Sequence, residues 1–112
     1  MDSTRQKKVA RLLQKELAIL FQQESRNLFG GAFITVTVVR VSPDLSSARV
    51  YLSLFGAKDN LELLVLIKEE TKKIRTKLAE NIKNQVRVIP HLDFFIDDSL
   101  DYAEKIDKLL KE

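Results

Sequence analysis

The order in which the hydrophobic period changes along this chain leaves few folds open to it. From Thr4 to Leu28, the residues Val9, Leu12, Leu13, Leu17, Leu20 and Phe21 recur at i, i+3 and i+4, one apolar stripe of a long helix. Ser3 or Thr4 suits its start, and Gly30-Gly31 its end, because glycine enters the left-handed conformation without a Cβ clash. The period then drops to two. Residues 32–41 are rich in β-branched side chains, and in residues 48–55 Ala48, Val50, Leu52 and Leu54 alternate with Arg49, Tyr51, Ser53 and Phe55. Ser42-Pro43-Asp44-Leu45-Ser46 between them is turn chemistry, so the pair reads as a β-hairpin closed by Gly56.

A helical period returns over residues 60–84, with Leu64, Ile67, Thr71, Ile74 and Leu78 inward. The pattern weakens at Ala79-Glu80-Asn81, where asparagine tolerates positive φ, and a kink is expected there. Residues 86–89 lead in extended form to Pro90, a third strand covers residues 93–97, and Asp98 or Ser99 caps a short last helix carrying Leu100, Ala103, Ile106 and Leu110. The predicted class is α+β, in the order α-β-β-α-(kink)-α-β plus the short C-terminal helix. A three-stranded sheet with helices on one face accounts for that order. Residues 1–112 are expected to form a single domain, long enough to bury a core unaided.

Composition removes several function classes. There is no cysteine, hence no disulfide framework, zinc ribbon or thiol nucleophile. The N-terminus runs into Lys7 and Lys8, and no stretch approaches the roughly 18 apolar residues of a membrane span, so the expected compartment is the cytoplasm. His91 is the lone histidine, follows proline in an expected loop and has no ligand-type spacing. Asp93 and Asp97 can share a strand face and would be the carboxylates of a metal-dependent hydrolase, but capping by Asp98 and a helix-end role for Asp97 explain the cluster more simply. Gly30-Gly31 lacks the spacing and lysine of a phosphate loop. Phe94, Phe95, Tyr51 and Phe55 offer stacking surfaces, although strand alternation turns about half of such residues inward. No catalytic residue, metal, cofactor or small-molecule substrate is expected.

Charge is the remaining signal. The net charge is only +3, yet residues 1–15 hold Arg5, Lys7, Lys8, Arg11 and Lys15 against Asp2, and residues 72–87 hold Lys72, Lys73, Arg75, Lys77, Lys83 and Arg87 against Glu80. Residues 93–112 carry seven acids against three lysines. Two basic segments on helix faces predict a polyanion partner, read by charge and shape more than by base sequence. From the residues alone this is an RNA- or DNA-binding α+β domain. A protein-interaction module that uses the free face of the sheet also remains open.

Several stretches together resemble the bacterial ribosome-binding factor A family. They are Val41-Ser42-Pro43-Asp44-Leu45 with Ala48-Arg49-Val50-Tyr51, then Val88-Ile89-Pro90 with Leu92-Asp93-Phe94, and Asp97-Asp98-Ser99-Leu100, in an order and spacing that cover nearly the whole chain. The resemblance implies a type II KH-like fold and a monomeric, non-enzymatic, cofactor-free assembly factor. Its partner would be 16S rRNA within the 30S ribosomal subunit or its precursor, its task rRNA processing and maturation, with a link to growth in the cold. The alternative is a general RNA-binding KH-like module without a ribosomal role. The family replaces the GxxG loop of ordinary KH domains with an Ala-x-Gly helix kink, matched here to Ala79, Glu80 and Asn81, with Asn81 in the glycine position. The expected RNA face is Lys7, Lys8, Arg11, Lys72, Arg75, Lys77, Lys83 and Arg87. Arg75 and Lys77 flank the expected kink and lead that set, so reversing their charge should weaken binding and leave the fold intact.

Overall fold

A computed structural model describes residues 2–56 and 58–97. Its first element, helix α1 (Thr4–Leu28), follows the apolar stripe and lays Val9, Leu13, Leu17, Leu20 and Phe21 against the sheet. The Ser3 side chain accepts from the Gln6 N–H at 3.1 Å, and Gln6 Oε1 accepts from the Ser3 N–H at 2.8 Å, a reciprocal capping box. Gln6 is itself buried and donates through Nε2 to the Val41 carbonyl at 2.9 Å. One side chain thus starts the helix and sets its place on the sheet. At the other end the N–H groups of Phe29 and Gly31 both donate to the Ser25 carbonyl, with Gly30 and Gly31 at φ of 62° and 80°.

Strands β1 (Phe33–Val41) and β2 (Ser47–Phe55) pair antiparallel, and β3 (His91–Ile96) lies parallel to β2 on its far side. The hairpin turn is tied by Asp44, whose Oδ1 accepts from both the Ser42 and Ser46 hydroxyls at 2.7 Å and from the Ser46 N–H at 3.1 Å. These bonds lower its pKa from 3.8 to about 2. The register slips between Val36 and Val38, leaving Thr37 as a bulge residue. Alternation sends Val36, Val39, Val50, Leu52, Leu92 and Phe94 into the core, where Phe94 meets Phe21 edge-on at 5.9 Å. Each such side chain contributes about 1.5–3 kcal/mol on burial.

A parallel β2–β3 pair requires a crossover, supplied by α2 (Asn60–Glu69) and α3 (Thr71–Ile82). Asp59 caps α2 by accepting from the Leu61 and Glu62 N–H groups. Leu63, Ile67, Ile74, Leu78 and Ile82 bury one continuous stripe beneath the sheet, on the same side as α1. The order α-β-β-α-α-β with helices on one face is the type II KH-like arrangement.

The crossover corrects the expected kink. Ala79, Glu80 and Asn81 lie in the last turn of α3, and among the described residues Leu45 alone outside glycine has positive φ. The interruption falls at Glu70, with φ −90° and ψ 6°. There the Thr71 hydroxyl donates back to the Ile67 carbonyl at 3.2 Å, the local competition that bends helices. Two smaller differences accompany it. β3 begins at His91 rather than at residue 93, because the His91 N–H bonds to the Ser46 carbonyl, so His91 opens the strand instead of lying in a loop. Residues 83–86 form a turn closed on Ile82 in place of the start of an extended lead. The expected C-terminal helix lies outside the described residues.

Candidate nucleic-acid interface

The first turns of α1 place Lys7, Lys8 and Arg11 in solvent, opposite the buried stripe. Because Gln6 bonds to Val41, these residues sit at the end of the sheet where β1 finishes. The chain returns to that same end through Ile89 and Pro90, since His91 bonds to Ser46 there. Exposed Arg87 lies just before that return, and exposed Lys83 caps α3. Lys72 stands exposed in the first turn of α3, close to the interruption. Lys7, Lys8, Arg11, Lys72, Lys83 and Arg87 make no ion pair among the described residues. Glu80 and Asn81 are exposed and Ala79 is half-buried on the last turn of α3.

The two residues expected to lead the set have intramolecular tasks. Arg75 is half-buried and donates from Nη2 to the Ile89 carbonyl at 2.9 Å and from Nε to the Pro90 carbonyl at 3.2 Å. Its fork fastens α3 to the segment that feeds β3. Lys77 is ion-paired with Glu24 in the last third of α1. Reversing both charges would therefore strain the fold, contrary to the expectation that the fold stays intact. The Glu24–Lys77 pair also sets a scale. Glu24 and Lys8 are about 24 Å apart along α1 at 1.5 Å per residue, so Lys77 stands well away from the basic start of α1.

Sequence reasoning missed the feature that the interruption creates. Between the α2–α3 junction and the edge of β3 lies an open groove of about 480 Å³, lined by Lys68, Thr71 and strand residues 91–95. β3 is an edge strand, so its outer backbone groups face this groove, with Lys68 supplying positive charge at its mouth. The signal was present as Thr71, a poor helix former in the middle of an apolar period, but the stripe runs through it unbroken. His91 and Asp93 stand beside one another on the solvent face of β3, Nε2 to Oδ1 3.6 Å. Asp97 accepts from the Thr37 hydroxyl at 2.6 Å, which ties the end of β3 across β2 to the β1 bulge. Asp98 lies outside the described residues.

A family model described as ribosome-binding factor A matches residues 5–110. The chain belongs to the ribosome-binding factor A family. A relative of that name from Cytophaga hutchinsonii is 51% identical over the whole chain and 84% of its own length. One from Flavobacterium johnsoniae is 45% identical over 98% of this chain and 85% of its own. Among known structures, a homology model of the ribosome-binding factor A of Thermus thermophilus, as fitted into a cryo-EM map of a 30S complex with that factor, is similar at 27% identity and a TM-score of 0.61. That match covers 78% of this chain and 89% of the other. The family resemblance read from the hairpin and the late segment thus holds, and with it the KH-like fold. Among the described residues, no helix is long and apolar enough to cross a membrane.

Proposed function

We propose that this chain, acting as one domain, binds the small ribosomal subunit and assists maturation of its 16S rRNA by binding and not by catalysis. The observation that carries the reading is membership of the ribosome-binding factor A family, together with likeness to a homology model of a relative fitted into a map of its 30S complex. The cations then have a natural role. Lys7, Lys8 and Arg11 on α1, with Arg87 before β3, would meet rRNA phosphates at one end of the molecule, Lys68 would line the groove at Glu70, and exposed Lys72 and Lys83 at the two ends of α3 would add further phosphate contacts. Arg75 and Lys77 act mainly by holding this frame in shape. A monomer in the cytoplasm, with no metal or cofactor, completes the proposal. Its preference for immature rRNA would arise from differential affinity for two RNA states.

Sedimentation with purified small and large subunits across a salt series tests the reading. If about six phosphates are neutralised, affinity falls roughly a thousandfold between 50 and 200 mM salt on the duplex slope. Lys7→Glu with Lys8→Glu and Arg11→Glu should abolish co-sedimentation with small subunits while far-UV circular dichroism stays unchanged. Equal binding to both subunits, or displacement from small subunits by any bulk RNA, would favour the general RNA-binding module instead.

A further inference from the structure

Among the described residues, the helices cover one face of the sheet and leave the other open. On that open face the register builds rows across the strands. Arg40, Arg49 and Asp93 form one, and Val38, Tyr51 and Phe95 form the next. The Tyr51 and Phe95 rings are already stacked, 28° between planes with centroids 5.4 Å apart, and Phe95 remains 40% exposed. Further along the face Phe33 stands opposite Phe55, 67% and 76% exposed. Folding gains little from this much uncovered aromatic surface.

The charge pattern is as telling. Arg40 and Arg49 are direct cross-strand partners, an arrangement that destabilises a sheet by itself. Neither has an acidic partner among the described residues, and Asp93, third in the row, leans to His91 instead. Two facing guanidinium groups call for an anion from outside. The two rows are about 7 Å apart, two residues along each strand. A base lying over the Tyr51–Phe95 pair would therefore leave its phosphate beside Arg40 and Arg49. Thr35, Ser53 and Ser47 on the same face add hydroxyls for base edges.

We infer that the open sheet face is a second RNA surface, separate from the helical cations, that takes unpaired nucleotides by stacking on Tyr51 and Phe95 and by phosphate contact with Arg40 and Arg49. It rests on the RNA-binding reading above and assigns single-stranded RNA to a surface that reading leaves unused. Stacking is sequence-tolerant, so the preference is for unpaired over paired bases.

The test is fluorescence anisotropy of the full chain with a labelled single-stranded oligouridylate and with a labelled RNA duplex. Two double variants are compared with the wild type: Tyr51→Ala with Phe95→Ala, and Arg40→Glu with Arg49→Glu, each checked by circular dichroism. Each should weaken binding of the single strand by about tenfold or more and change duplex binding far less. The α1 triple reversal should do the opposite. The inference is overturned if the wild type does not bind the oligouridylate, if a folded sheet variant binds it as tightly as the wild type, or if an oligo-aspartate peptide at equal concentration displaces it, which would make the face an acidic-peptide site. Loss of small-subunit binding by the wild type, with sheet-dependent oligouridylate binding retained, would remove the ribosomal role and leave this surface standing.

Discussion

Removing the Arg75 side chain as Arg75→Ala asks whether this cation belongs to the fold or to a ligand. Its guanidinium donates to two backbone carbonyls, at 2.9 and 3.2 Å, on the segment that leads into β3. Bonds to a charged donor contribute about 1.5–3 kcal/mol each when fully formed. Arg75 is half-exposed, so each bond is taken at or somewhat below the lower end, about 2–3 kcal/mol for the pair. For a domain near 100 residues that corresponds to a fall in Tm of about 8–12 °C. The acceptors are neutral carbonyls, so the loss should be nearly the same at 50 mM and 1 M salt, unlike any contact to phosphate. Arg75→Lys keeps the charge but loses the fork, and should recover no more than about half of the deficit. Thermal unfolding by circular dichroism at both salt concentrations is the assay. A Tm change under about 2 °C, or a deficit that vanishes in high salt, would refute the assignment of Arg75 to the frame.

Two further perturbations probe the core and the hairpin turn. Phe94→Ala removes a ring buried against Phe21 and should cost about 3–5 kcal/mol, read as a lower urea midpoint at unchanged slope. Asp44 has a folded-state pKa depressed to about 2 from 3.8, so its contribution is complete above pH 4 and disappears as pH falls toward 2. The Tm difference between the wild type and Asp44→Asn should therefore be constant from pH 5 to 7 and close between pH 4 and 2. A gap that widened on acidification would contradict the hydrogen bonding described for this turn.

Most of the fold is legible in the sequence because local signals and packing agree. The stripe from Val9 to Phe21, Ser3 at its start and Gly30-Gly31 at its end define α1, and the alternation from Ala48 to Leu54 matches the buried side of β2. The interruption at Glu70 was hidden because Leu63, Ile67, Ile74, Leu78 and Ile82 keep helical spacing across it, so periodicity sees one helix. Asn81 drew attention by its propensity alone, and burial of Leu78 and Ile82 on either side overrides that preference. Of the candidate site, Lys7, Lys8, Arg11, Lys72, Lys83 and Arg87 are exposed as charge patterning implies. Arg75 and Lys77 could not be separated from them by sequence, since their partners, Ile89 with Pro90 and Glu24, are distant in the chain. The Arg40–Arg49 pair was equally hidden, because only the strand register brings the two side by side.

The glutamines of α1 carry a consequence for how the polypeptide is made. Gln14 donates to the carbonyls of Val36 and Thr37, and Gln6 to that of Val41, so the helix occupies acceptors on an outermost strand. Bare outer strands invite pairing with other molecules. During synthesis α1 leaves the exit tunnel before β1, so a shield is at hand when that strand emerges. A nascent chain deprived of those amides would meet its neighbours on the polysome with an adhesive border.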